Sequence, residues 1–112
     1  MHPSTLETSL LDGPVGGIDT ALNDPGANRR GIALIAHPNP VQGGTRDNKV
    51  VTSLARVFYS LGYVAVRPNF RGIGASAGTH DKGIGETDDL VAVAEHMRRR
   101  YGDLPLLLAG FS

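Results

Sequence analysis

The sequence predicts an α/β chain: a three-layer α/β/α sandwich on a mostly parallel sheet, with an N-terminal antiparallel hairpin. Three observations carry that expectation. Three short, continuous apolar runs read as strands buried on both faces. Two amphipathic helical patterns lie between them, and alternation at this spacing implies parallel strands joined by helical crossovers. Ahead of the first run stand two extended segments around a turn.

In chain order, Leu6 to Leu11 and Val15 to Leu22 flank the turn-forming Asp12-Gly13-Pro14, and this reads as a loose hairpin that Gly16-Gly17 weakens. Residues 23–30 form a polar linker. Gly31 to Ala36 is the first buried strand, stopped at His37-Pro38-Asn39-Pro40, where two prolines forbid further pairing. Val50, Leu54, Val57, Phe58 and Leu61 then make one apolar stripe at helical spacing. Asp47 or Asn48 is its N-cap and Gly62 its left-handed stop. Tyr63 to Val66 is the second strand, closed by Arg67-Pro68, and a glycine-rich loop fills residues 69–85. A second helix runs from about Glu86 to Tyr101 with Leu90, Ala94, Met97 and Tyr101 on one face. Its acidic start (Glu86, Asp88, Asp89) and its basic end, Arg98-Arg99-Arg100, suit the helix dipole. Leu106 to Ala109 is the third strand. The organisation is a hairpin over 1–22, a linker over 23–30 and a βαβαβ unit over 31–112.

Composition narrows the function. The 112 residues make one small domain or a piece of a larger one. Eleven Lys and Arg balance eleven Asp and Glu, which argues against a nucleic-acid or anionic-membrane partner. The absence of cysteine excludes disulfides, Cys-ligated zinc and thiol catalysis. No histidine pair has metal-ligand spacing on one element, so no metal site is expected, and no cofactor is implied. The N-terminus lacks a basic region followed by an apolar one, and no run approaches the ~18 apolar residues of a membrane span. A soluble, cytoplasmic protein is the expectation. The 15 glycines and 7 prolines are about a fifth of the chain, against roughly 12% in average proteins. They gather at strand ends, where glycine permits close backbone approach to a ligand.

In open parallel sheets, ligands bind beyond the carboxyl ends of the strands. Here the loops at those ends are 37–48, 68–85 and whatever follows Ala109. The third strand runs directly into Gly110-Phe111-Ser112. That is the first half of G-x-S-x-G, a tight turn that lifts a serine Oγ above the sheet.

Three blocks together resemble the α/β-hydrolases, most of all the small bacterial branch whose first strand ends in a His-Pro-x-Pro loop. They are Ala36-His37-Pro38-Asn39-Pro40 through Gly43-Gly44-Thr45 to Asn48-Lys49-Val50-Val51; Arg67-Pro68-Asn69-Phe70-Arg71-Gly72-Ile73-Gly74-Ala75-Ser76 with Gly83-Ile84-Gly85-Glu86; and Leu108-Ala109-Gly110-Phe111-Ser112. The resemblance implies that Ser112 is a nucleophile attacking a small ester-like acyl substrate. It also implies that the loop after the first parallel strand gives a backbone N–H to an oxyanion hole. Asn39 is the candidate donor, because Pro38 and Pro40 have no N–H. The family usually has histidine at that position, a change to which a backbone role is indifferent. Its triad order is Ser, then Asp or Glu, then His. No histidine or carboxylate follows Ser112, so the chain is expected to be the N-terminal portion of a hydrolase, inactive by itself. The bare, apolar edge of its last strand would then make it prone to aggregate.

Other readings stand beside this one. Ser112 is otherwise an ordinary serine, and the fold is otherwise a non-catalytic binding protein. Gly72-Ile73-Gly74-Ala75-Ser76-Ala77-Gly78 superficially resembles a dinucleotide fingerprint of an oxidoreductase, but no helix opens at Gly78. His37 reads as a structural histidine bonded within its loop, whereas His80 and His96 read as solvated surface and His2 as a frayed terminus. Arg71 reads as a loop-positioning residue, bonding carbonyls or a carboxylate, or else as solvated surface.

Overall fold

The computed structural model of the chain describes residues 6–38 and 44–110. Five strands and two helices follow in the order β1 (Leu6–Gly13), β2 (Gly16–Asn23), β3 (Gly31–Ala36), α1 (Lys49–Ser60), β4 (Tyr63–Pro68), α2 (Ile84–Tyr101) and β5 (Leu106–Gly110). They form one sheet in the order β1-β2-β4-β3-β5. β1 and β2 pair antiparallel, β2 joins β4 antiparallel, and β4, β3 and β5 run parallel.

The two faces of the sheet follow the period-2 alternation of its strands. Ile32, Leu34, Val64 and Val66 point to one face with Ile18 and Leu22, where Val93 and Met97 of α2 cover them. Ala33, Ile35 and Ala65 point to the other, under Val51 and Ala55 of α1. The helices therefore lie on opposite faces, giving the three expected layers. Among the described residues no helix is long and apolar enough to cross a membrane.

Several local expectations shift. The hairpin is regular, pairing from Leu6↔Asn23 to Gly13↔Gly16 around the two-residue loop Pro14-Val15. Gly16, at φ +130°, serves the turn rather than weakening the strand. β4 continues through Arg67 and Pro68, because β2 pairs with both; a proline is tolerated at a strand's last position.

The stripe on α1 turns by about one residue. Val51 and Ala55 are buried, while Val50, Val57 and Leu61 remain exposed. Small Ala55 seats the helix on the alanines of the sheet, and a count of large apolar residues overlooks it. α2 begins two residues earlier than expected, at Ile84, and its buried side includes Glu86, Asp89 and Val93. Those carboxylates have partners inside the fold and do not simply complement the helix dipole.

Candidate active site

β3 and β5 are neighbours with Ala36 opposite Gly110, so the chain leaves both carboxyl ends at one level. A Cβ at Gly110 would lie 3.2 Å from Ala36 O and 3.3 Å from Ala36 Cβ, and only a small residue fits there. His37 follows Ala36 and is buried. Its Nδ1–H donates to Pro38 O at 2.7 Å, and its Nε2 accepts the Phe70 N–H at 2.9 Å. Those two bonds fix one neutral tautomer. Its ring centroid lies 4.4 Å from that of Phe70. Burial lowers the His37 pKa, with the Pro38 bond working against it.

The other end of the same loop is fastened by a polar network around the buried Asn69, Ser76 and Arg67 and the half-buried Asp19 and Arg46. Asn69, directly after β4, uses all its polar groups. Its N–H donates to Asp19 O at 2.8 Å and its O accepts from Ser76 Oγ at 2.8 Å. Its Oδ1 accepts the Arg46 N–H at 2.9 Å, and its Nδ2 donates to Asp19 Oδ2 at 3.3 Å. Asp19 also accepts from Arg46 Nη1 at 2.5 Å and from the Ala75 N–H at 3.1 Å. Burial pushes the Asp19 carboxyl up, but the bonds from Ala75, Arg46 and Asn69 together outweigh it and hold it below its ordinary value. Arg67 adds a bond from Nη1 to Arg46 O at 3.0 Å. Its Nε is the one buried side-chain polar atom without a partner among the described residues.

Arg71 anchors the glycine-rich loop to α2. Nε and Nη2 donate to the two oxygens of Asp89, each at 2.9 Å, and Nη2 also donates to Gly85 O at 2.9 Å. Such a two-pronged pair is the geometry that guanidinium makes and ammonium does not. Gly85 leaves the room: a Cβ there would lie 2.2 Å from Arg71 Nη1. Glu86 closes the start of α2, accepting the Gly83 N–H at 3.0 Å and the Asp81 N–H at 2.9 Å. Between this loop and α2 opens a cavity of about 500 Å³, lined by Phe70, His80, Lys82, Gly83, Glu86, Thr87 and Leu90.

Sequence reasoning and structure meet unevenly. His37 is the structural histidine expected, and Arg71 binds the carbonyl and carboxylate expected. Ser112 and Asn39 lie outside the described residues, so neither candidate is among those placed. His80 and His96 are tied down rather than simply solvated. His80 Nδ1 is 3.1 Å from Glu86 Oε2, and His96 Nε2 donates to Asp12 O at 2.9 Å, joining α2 to β1. Asp19, Arg46, Asn69 and Ser76 were missed. Asp19 carried a readable signal, a carboxylate between Ile18 and Thr20 inside a strand. The dinucleotide reading loses its site: α2 opens six residues after Gly78, and a Cβ at Gly74 would meet Asn69 Nδ2 at 2.6 Å and Asp19 Oδ2 at 2.8 Å. The interior of that loop is filled by the protein's own side chains.

The chain matches no protein-family model. It is similar to XC6422 of Xanthomonas campestris, an α/β serine hydrolase without a lid, at 44% identity and a TM-score of 0.88 over 100% of this chain and 53% of that one. An α/β serine hydrolase homologue of Coxiella burnetii is 41% identical with a TM-score of 0.91, over 100% of this chain and 54% of that one. The mouse lysophosphatidylserine lipase ABHD12 is 36% identical over 86 residues, 77% of this chain and 21% of the mouse protein. The chain thus spans about half the length of the two bacterial proteins it matches. With the strand order, the two helical layers and these likenesses together, the chain belongs to the α/β-hydrolase superfamily and carries the N-terminal portion of its fold.

Proposed function

We propose that this chain contributes the nucleophile and one oxyanion donor of a serine hydrolase acting on an ester-like acyl bond, and that the acid and the histidine of the triad come from residues beyond Ser112. The observation that carries the reading is the register Ala36↔Gly110. Adjacent strands lie about 4.8 Å apart, so the loop bearing Asn39 and the turn bearing Ser112 spring from neighbouring points on one end of the sheet. The cavity beside Phe70 opens at that end, with a volume in the range of small-molecule sites. The mouse relative is a lipase, which supports an ester over other acyl bonds.

In this mechanism the Ser112 Oγ attacks the acyl carbon while the downstream histidine takes its proton. The carbonyl oxygen becomes an oxyanion, held by the Asn39 N–H and by the N–H of the residue after Ser112. The C–O bond to the leaving alcohol breaks as the histidine returns the proton to it. Water, deprotonated by the same histidine, then releases the acid and restores the serine.

Fluorophosphonate labelling of the protein that includes the downstream residues tests this. The expected result is a single adduct on Ser112, abolished by Ser112→Ala, with no p-nitrophenyl acetate turnover by the 112-residue chain alone. A folded, full-length protein that takes no adduct would instead be a hydrolase-fold binding protein.

A further inference from the structure

We propose that Asn69 is the positioning residue of this site, fixing with its neighbour Phe70 both ends of the loop that carries Asn39. The inference rests on the hydrolase reading above, but its geometry is independent of it. Phe70 holds the near end, its N–H donated to His37 Nε2 at 2.9 Å. Asn69 holds the far end, its Oδ1 accepting the Arg46 N–H at 2.9 Å. Two consecutive residues after β4 thus grip the chain where it leaves β3 and again where it approaches α1.

The chemistry at residue 69 requires an amide. Its side chain must accept from Arg46 and, at the same moment, donate to the Asp19 carboxylate. An ionised carboxylate has no proton for the second task, and an apolar side chain fulfils neither. The backbone of Asn69 is equally committed, to Asp19 O and Ser76 Oγ, and the residue is 5% exposed. Asp19 sits on β2, so the N-terminal hairpin reaches the loop through Asn69. An oxyanion donor acts only where its N–H meets the developing charge, and a displacement of about 1 Å is enough to cost a hundredfold in rate.

The test uses the protein that includes the downstream residues. Asn69→Ala is expected to lower kcat about ten- to hundredfold with KM little changed, and to speed hydrogen exchange of the Arg46 amide. Asn69→Asp keeps the size but sets a carboxylate against Asp19. Its kcat relative to that of the unsubstituted protein is expected to rise toward acidic pH, as the new carboxyl gains the proton it needs to donate. Unchanged kcat in a folded Asn69→Ala protein would overturn the proposal, as would a kcat that falls only in step with the folded fraction. If the unsubstituted protein hydrolyses no ester and takes no fluorophosphonate, it is the hydrolase reading that falls. Arg46 exchange then judges the clamp alone: protection lost in Asn69→Ala upholds it, and protection retained overturns it.

Discussion

His37 commits both ring nitrogens inside the fold, one as donor to Pro38 O and one as acceptor from the Phe70 N–H. Protonation would place an Nε2–H against the Phe70 N–H, donor facing donor, in a site already closed to water. Burial lowers its folded pKa below the ordinary 6.5, so the unfolded chain binds the proton more readily. The stability this contributes is full above 6.5 and is lost as pH falls through the folded value. Urea melts on the two sides of pH 6.5 are therefore expected to show lower stability on the acid side. In His37→Gln, whose side chain accepts a bond but does not titrate, that loss should shrink; an equal loss in both proteins would remove His37 from the account. The carboxyls of Asp19 and Glu86 are also held below their ordinary values of 3.8 and 4.5, so their contribution is lost at lower pH and does not confuse the comparison. The buried Arg71–Asp89 pair is a different kind of residue-scale feature. Its net gain is small because both charges leave water, yet removing one partner strands the other at a cost of about 3–5 kcal/mol.

At the scale of elements, α1 is set by its ends. Asn48 Oδ1 accepts the Val50 N–H at 2.9 Å and the Val51 N–H at 3.4 Å, and Gly62 stops the helix at φ +93°. Asn48→Ala is expected to destabilise the fold by about 1 kcal/mol, read as a lower Tm by calorimetry. A Tm unchanged from the parent would mean that tertiary packing alone fixes where α1 begins. Asn48 was legible as a cap because the cap is a local matter of one side chain and two amides. The buried side of α1 was not, because its sequence offers two adjacent apolar stripes and only the docked sheet chooses Val51 and Ala55. The hairpin shows the same division. Its existence follows from turn residues between extended runs, but the loop falls on Pro14-Val15 because the pairing of β1 with β2 continues to Gly13↔Gly16.

At the scale of the whole molecule, α1 and β5 present apolar side chains to solvent, as do the hairpin at Leu6 and Leu10 and α2 at Ile84 and Val91. Val50, Val57 and Leu61 are exposed along α1, and on β5 Leu107 is 41% and Leu108 68% exposed. β5 pairs with β3 on one side, and no described residue pairs its other side. An open apolar edge is a template for another strand. The 112-residue chain is accordingly expected to self-associate in sedimentation velocity, with Leu108→Lys shifting it toward the 11.8 kDa monomer. A monomeric profile for the unsubstituted chain would sink this expectation.

By itself the sequence determined the element order and the three layers, because those follow from local periodicity and from the alternation of strands with helices. It also put forward Ser112 and Asn39 as candidates, through a family pattern. Only the tertiary structure decided which polar residues work together. Asp19, Arg46, Asn69 and Ser76 come from three separate stretches of chain, with Asn69 50 positions after Asp19. No periodicity links them. They meet because β2 pairs with β4, which brings the residue after Pro68 beside the carboxylate two positions into the strand from Gly17.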